Sequence, residues 1–324
     1  MNYYAPIVSI LVSLVSIRVI CSSRFGKGVQ DIPNERSLHS TPVPRVGGVG
    51  LVAGLLCGWG VMAAALVWWL LLPLIVLFVV SLLDDVRGLT VRQRLSAHLV
   101  AAAILVAGSG LLGQSIVLAL AALLLTVWFT NLYNFMDGSD GLAGGMALFG
   151  FGMYGIAALV AHDQALAMLN LSIGAAAIGF LYFNLPPAKV FMGDAGSISL
   201  GFLAAAMGLW GWQQGYWGAW FPLLVFSPFV VDASVTLLKR ALRGVKVTEA
   251  HREHYYQRAI QMGWSHRNVA FIEYVLMLGV GISALFALGA PFPWQVFMVW
   301  AGIYGALMMT LDAAWKRFER EQHA

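Results

Sequence analysis

Charge is what this sequence has least of. Asp, Glu, Lys and Arg make up 10% of its 324 residues, where a soluble domain carries about 25%. Hydrophobic residues make up 60% and the mean hydropathy is +0.79, so a soluble globular protein is excluded and an integral membrane protein is expected. Cysteine is scarcer still. Cys21 and Cys57, in or beside apolar runs, provide neither a disulfide framework nor a metal-binding pattern. Repeats, low-complexity tails and a polar appended domain are absent, and no nucleic-acid partner is expected. The first apolar run has no basic segment before it and no small-residue cleavage site after it, which predicts a retained span rather than a signal peptide.

Long apolar runs dominate what remains. A membrane-crossing helix needs about 20 mostly apolar residues. Candidate spans are 3–21, 47–64, 66–83, 97–112, 114–131, 142–160, 165–183, 197–211, 218–238, 269–290 and 293–312. The expected fold is therefore an all-α polytopic bundle of about eleven transmembrane helices, or ten if a division inside 47–83 or 97–131 is not a true crossing. It forms a single domain over 1–324, with cytoplasmic loops at 22–46, 84–96, 132–141, 184–196 and 239–268 and a tail at 313–324. With eleven alternating spans, all 19 Lys and Arg fall on one side, and the opposite loops carry only Asp163. The positive-inside rule makes that side cytoplasmic, placing the C-terminus inside and the N-terminus in the periplasm.

The same parity gathers the polar segments on the cytoplasmic face. "NLYNFMDGSDGLAGG" puts Asn131, Asn134 and Asp137 within about a third of a helix circumference, and Gly138 and Gly141 bring Asp140 round in a turn. "SLLDDVRGLTVRQR" sets Asp84 beside Asp85 at the mouth of the third span, and "FNLPPAKVFMGDAGS" carries Asn184, Lys189 and Asp194. A Pro-rich loop holds Asp31, Arg36, His39 and Arg45, and a long basic loop holds His251, Arg252, His254 and Arg258. Hard oxygen donors suit Mg²⁺, which binds one or two carboxylates plus substrate phosphates and water. The surrounding Arg and Lys complement phosphate oxygens. Phosphoryl chemistry at the membrane surface is the expectation.

Plainer roles compete at each position. Asp137 and Asp140 suit turn or capping positions around Gly138 and Gly141. Asp194 suits the cap of the next helix, and Asp84 and Asp85 a solvated helix end offset by Arg87. Lys189 marks orientation as readily as it contacts phosphate. Asp232 lies inside the ninth span, where a functional acid and one paired to Arg or a backbone donor both fit. Glycine-rich faces such as "VGGVGLVAG" permit close packing inside one bundle or between two copies of a homodimer.

"DDVRGL", "NLYNFMDGSDGLAGG" and "FNLPPAKVFMGDAGSISLG", in that order, resemble the motifs of the polyprenyl-phosphate N-acetylhexosamine-1-phosphate transferases, glycosyltransferase family 4. "SPFVVDASVTLLKR" followed by "AHREHYYQRAIQMGWSH" resembles the branch that initiates O-antigen and related glycans, and the likeness runs from Asp31 to about His266. The resemblance implies transfer of a sugar-1-phosphate from a UDP-N-acetylhexosamine to undecaprenyl phosphate in the bacterial inner membrane, with release of UMP. It implies Mg²⁺, for which Mn²⁺ can substitute, on Asp194 and Asn134. It gives catalytic roles to Asp84, Asp85, Asp137 and His254. Substrate contacts fall to His39, Arg45, Asn131, Asp140, Asn184, Lys189, His251, Arg252 and Arg258.

A phosphate monoester has its second pKa near 6, so the lipid phosphate arrives mostly as a dianion and positioning outweighs deprotonation. One departure stands out. Many relatives carry His-x-His-His where this chain reads His254-Tyr255-Tyr256-Gln257, which makes a modified N-acetylhexosamine such as a 6-deoxy sugar an acceptable donor. The rival class is a secondary transporter, whose ion-binding acids would lie near the bilayer midplane. A CDP-alcohol phosphatidyltransferase is excluded by the lack of its acidic run.

Overall fold

The structure, a computed structural model, describes residues 3–33, 38, 41–246, 251–291 and 293–322. His39 and Arg36 lie outside the described residues. The chain opens with α1 (Ala5–Ser22) and the short α2 (Arg24–Gly28), then pairs β1 (Gln30–Asp31) antiparallel with β2 (Val43–Pro44). The helices α3 (Gly47–Gly60), α4 (Trp68–Arg87), α5 (Val91–Gly108), α6 (Leu111–Gln114) and α7 (Ile116–Phe135) follow. Next come α8 (Leu142–Val160), α9 (Gln164–Asn184), α10 (Asp194–Gln213), α11 (Trp220–Val225) and α12 (Ser227–Leu242). The chain finishes with α13 (Tyr255–Gln261), α14 (His266–Ala287) and α15 (Trp294–Gln322).

Among the described residues, 8 helices are long and apolar enough to cross a membrane: α1, α4, α7, α8, α9, α10, α14 and α15. The other expected spans correspond to three less regular pieces. α3 has only 14 residues, α5 opens on Arg92 and Arg94, and the ninth span is divided into α11 and α12. That division falls at Phe226, immediately before Ser227-Pro228. Proline suits a first helical turn, where its missing N–H is no loss. The Phe226 ring fills the break, packing against Phe129, Tyr133, Phe151 and Tyr154.

Two expected boundaries move. The loop expected at 84–96 is mostly helix, because α4 continues to Arg87 and ends at Gly88, whose φ of 69° favours glycine. Thr90 then caps α5 in a reciprocal pair with Gln93. The tail expected at 313–324 continues α15 to Gln322, as its run of Ala, Lys, Arg and Glu favours helix.

Burial orders the bundle. The apolar windows of α8, α9 and α10 are 67%, 78% and 83% buried, whereas that of α15 is 6% buried. The first three form the centre and α15 runs along the outside. Glycine sets the closest approaches. A Cβ on Gly54 would sit 2.5 Å from the Ser9 carbonyl oxygen of α1, and one on Gly48 2.3 Å from the Gly196 nitrogen of α10. The glycine-rich face of α3 is therefore used inside the bundle, as small residues are in membrane helix packing.

Candidate active site

The site begins with an unsatisfied helix end. α10 starts after Gly193, at φ 74°, and its first N–H groups have no partner within the helix. Asp85, from the last turn of α4, supplies one. Its carboxylate accepts the Asp194 N–H at 3.0 Å and the Ala195 N–H at 2.9 Å. It also accepts Arg45 Nη2 at 2.6 Å, and its side chain is 1% exposed. Asp85 therefore fastens α4 to α10 and holds Arg45 over the junction. Burial alone would lower the Arg45 guanidinium, but Asp85, Asp194 and Asp31 together hold it above its ordinary value. The chain beside Arg45 is laced to the α9–α10 connection. Phe191 N–H donates to the Pro44 carbonyl at 2.8 Å, and Gly47 N–H to the Phe191 carbonyl at 2.9 Å.

Asp84 points elsewhere. It accepts the Leu89 N–H, lies 3.3 Å from Arg94 Nη1 and comes within hydrogen-bonding reach of the Asp194 carboxyl. Arg94 Nη1 also lies 3.6 Å from Asp194, so one guanidinium faces both acids. From α7, Asn134 Nδ2 donates to Asp194 at 3.0 Å and to Ser197 Oγ at 2.9 Å. Four helices thus converge on Asp194.

A cavity of about 290 Å³ opens in front of this cluster, lined among others by Asp31, Arg45, Asn134, Asp137, Asp140 and Asp194. Among the described residues, no side chain hydrogen-bonds to the Asp137 carboxylate. Burial, then the negative charges of Asp194 and Asp85, push it well above the usual carboxylate range. The remaining wall is held by loop ties. Asp140 accepts the Ala188 N–H at 2.9 Å, and His266 Nδ1 meets Ser139 Oγ at 3.0 Å while its Nε2 approaches the Leu38 carbonyl at 3.2 Å.

A profile of glycosyl transferase family 4 matches residues 67–211, the stretch that carries Asp84, Asn134, Asp137 and Asp194. The decaprenyl-phosphate N-acetylglucosaminephosphotransferase of Mycobacterium tuberculosis (strain ATCC 25618 / H37Rv) is 30% identical over 315 residues, covering 82% of this chain and 76% of that protein. The chain belongs to glycosyl transferase family 4. A probable undecaprenyl-phosphate N-acetylglucosaminyl 1-phosphate transferase of Bacillus subtilis (strain 168) is 28% identical over 314 residues, with 91% and 87% of the two chains covered. A phospho-N-acetylmuramoyl-pentapeptide-transferase of Halalkalibacterium halodurans is 25% identical over 315 residues, with 86% and 94% covered.

The family's motif residues do not all reach the cavity. Asp194, Asn134, Asp137, Asp140, Asn184 and Arg45 line it, with Asp84 beside Asp194. Asn184 does so with its amide already engaged, accepting Gly141 N–H at 2.9 Å and donating to the Val190 carbonyl at 2.8 Å. Asn131, expected on the same face as Asn134, donates to the Val127 carbonyl of its own helix and faces His98 of α5. Lys189 is exposed and Arg252 is exposed, both outside the cavity lining. Arg258 is buried away from it, 3.2 Å from Asp312 and over the rings of Tyr255 and Trp315. There it pins α15 to α13.

His254 is also withdrawn. Its ring nitrogen lies 3.3 Å from Asp232, and its ring stacks on Phe135 and Tyr256. Burial, followed by repulsion from His254 and Arg240, pushes neighbouring His251 down to about 4. Asp232 itself accepts the N–H groups of Tyr255 at 2.9 Å and Tyr256 at 3.1 Å, so the acid inside the ninth span caps α13. In exchange the structure brings in Arg94 and His266, which are not among the expected site residues, and Gln257, which stands at the last position of the family's His-x-His-His. The sequence signals for Arg94 and His266 are the tight turn at Gly88 that folds Arg94 back on Asp84, and the Ser265 cap that starts α14 at His266.

The donor set suits a hard cation. Asp194 and Asp137 face the cavity together with Asn134, three residues before Asp137, and among the described residues the Asp137 carboxylate has no hydrogen-bond partner. Among those residues, no three or more His, Cys, Asp or Glu form a ready metal cage. Mg²⁺ does not need one, since it keeps waters and takes substrate phosphate oxygens alongside one or two carboxylates.

Proposed function

We propose that this protein transfers N-acetylhexosamine-1-phosphate from a UDP-sugar to undecaprenyl phosphate, in the inner membrane of a bacterium. An oxygen of the lipid phosphate bonds to the β-phosphorus of the nucleotide. The bond from that phosphorus to the oxygen bridging to the α-phosphate breaks, and UMP leaves. The products are a lipid diphosphate sugar and UMP, and the sugar's anomeric bond is untouched. The observation that carries this reading is the gathering of Asn134, Asp137 and Asp194 on one cavity at one end of a membrane bundle, with Asp84 and Arg94 packed behind Asp194.

Asp194, Asp137 and the Asn134 side chain would hold Mg²⁺, which when bound offsets the charge of the diphosphate. Arg94, between Asp84 and Asp194, orients the incoming phosphate, with Asp84 fixing the guanidinium. Arg45 is held by Asp85 at the cavity wall, where it meets the anionic donor. The decaprenyl- and undecaprenyl-phosphate acceptors named for the relatives support a long polyprenyl phosphate here. The pathway served would be a cell-surface glycan such as O-antigen. A transporter is disfavoured because the acids sit at one mouth and Asp232 is occupied as a helix cap.

Purified protein, undecaprenyl phosphate, Mg²⁺ and a panel of UDP-N-acetylhexosamines test the reading through UMP release. Lipid-dependent UMP release that is lost in Asp194→Asn is the expected result. Folded protein that binds no UDP and releases no UMP with any donor would overturn it.

A further inference from the structure

Among the elements that wall the cavity, α13 is poorly equipped to hold itself. It has 7 residues, Tyr255–Gln261, which is about two turns. Isolated helices shorter than about 12 residues are marginal in water, so its surroundings must fix it. Two ties come from inside the bundle. Asp232 of α12 caps its start, and the Tyr256 hydroxyl donates to the Phe135 carbonyl at 3.0 Å, in the turn that leads to Asp137. A Cβ on Gly138 would lie 2.3 Å from that hydroxyl, so α13 presses on the backbone beside Asp137.

The third tie comes from outside. Arg258 is 8% exposed, and a buried guanidinium needs a counter-charge. Asp312 of α15 provides it, with Oδ1 at 3.2 Å from Arg258 Nη1. Glu253 lies farther off, at 3.8 Å, and is shared with Arg240 and Arg243. The second oxygen of Asp312 accepts the Tyr255 hydroxyl at 3.3 Å and Lys239 Nζ of α12. Further along α15, the Trp315 ring lies beneath the Arg258 guanidinium, its centroid 5.5 Å away.

Packing does not explain how α15 is attached. Its apolar window is 6% buried, and Tyr304 is the one buried residue among its described positions. Polar ties hold it instead: Tyr304 to Ser227 Oγ at 2.8 Å, and the Asp312 cluster at the end that carries the cavity. A helix long and apolar enough to cross the bilayer is held there by the lipid, and so offers α13 a fixed post.

We propose that Asp312 is a positioning residue, which latches α13 to α15 and so keeps the cavity wall beside Asp137 where transfer requires it. This rests on the transfer reading above. Neither Asp312 nor any other part of α15 lies in the segment that the family profile matches. Without the Asp312 charge, Arg258 loses its nearest counter-ion and is drawn toward water, and α13 moves with it. A reaction that depends on positioning feels a displacement of about 1 Å.

Two substitutions and a control test the latch. Asp312→Asn keeps the shape of the side chain and removes its charge, whereas Asp312→Glu keeps the charge. Tyr304→Phe loosens α15 at Ser227 without touching α13. Each purified protein is assayed for UMP release with the most active donor of the panel above, for melting temperature, and for amide hydrogen exchange. Asp312→Asn should exchange faster over 255–261 and release UMP about tenfold more slowly at saturating substrates. Asp312→Glu should recover most of both. Tyr304→Phe should keep the wild-type rate and the protection of α13, even with a lower melting temperature. Arg258→Met, alone or combined with Asp312→Asn, should lose about what Asp312→Asn loses, because the two residues act as a unit.

A wild-type rate in Asp312→Asn, whatever its exchange, would overturn the inference. So would a rate loss that Tyr304→Phe matches at an equal drop in melting temperature, which would leave Asp312 as a general structural tie. Wild-type protein that binds UDP yet releases no UMP with any donor would refute the transfer reading. Exchange over 255–261 would still judge the latch in that case, and unchanged exchange in Asp312→Asn would sink it too.

Discussion

Asp84 and Asp85 leave α4 about 100° apart, and that angle separates their fates. Asp85 turns to the α10 backbone and Arg45, whereas Asp84 turns to Arg94 and Asp194. Asp85→Asn replaces an acceptor of three donors by a group that also donates, so it should lower stability by about 1–3 kcal/mol, read as a fall in melting temperature in detergent. Asp194→Asn removes one negative charge from a crowded set. It should keep the melting temperature while cutting transfer by on the order of a hundredfold. The reverse pattern would contradict the division of labour between these acids.

Asp137 gives a pH test. Its folded pKa is raised, so the folded state holds the proton more tightly than the unfolded chain. Its contribution to stability is full below the ordinary carboxylate pKa and is lost as pH rises through the raised value. In EDTA, Asp137→Asn should flatten this decline and be the more stable protein at neutral pH. A steeper decline in the variant would refute it. The sequence identified the acids, because buried carboxylates in an apolar chain call for a reason. It did not reveal their partners: Asp85 meets Asp194 across 109 positions, and Asn131 differs from Asn134 only by the side of α7 on which its neighbours lie.

At the scale of elements, the apolar runs were readable because membrane helices declare themselves by length and composition. The exceptions follow from local chemistry. α3 is short and glycine-rich, α5 begins on arginines, and Phe226 with Pro228 breaks the ninth span. Motif spacing could not foresee that α13 would dock on Phe135 through Tyr256, since that contact spans 121 positions. The α3–α10 contact gives the element-scale prediction. Gly48→Ala would drive a methyl into the backbone of Gly196 and Met192, and should cost about 1–3 kcal/mol with a matching loss of activity as the α10 start shifts. Gly152→Ala in α8 meets nothing within 4 Å and should melt like the unaltered protein. Equal behaviour of the two variants in thermal unfolding would refute the packing argument.

Across the whole molecule, the apolar bundle supplies rigidity and the polar chemistry is confined to one end. Sequence parity anticipated that confinement from the placement of the 19 basic residues, and the contacts between the ends of α4, α5, α7 and α10 agree with it. The central claim is that the β-phosphorus, not the sugar carbon, is the reacting atom. The direct measurement follows a UDP-N-acetylhexosamine labelled in its β-phosphate, incubated with the purified protein, Mg²⁺ and undecaprenyl phosphate. The account predicts that the label enters the lipid while unlabelled UMP appears in equal amount. Label left in soluble UDP, with only the sugar joined to the lipid, would contradict it.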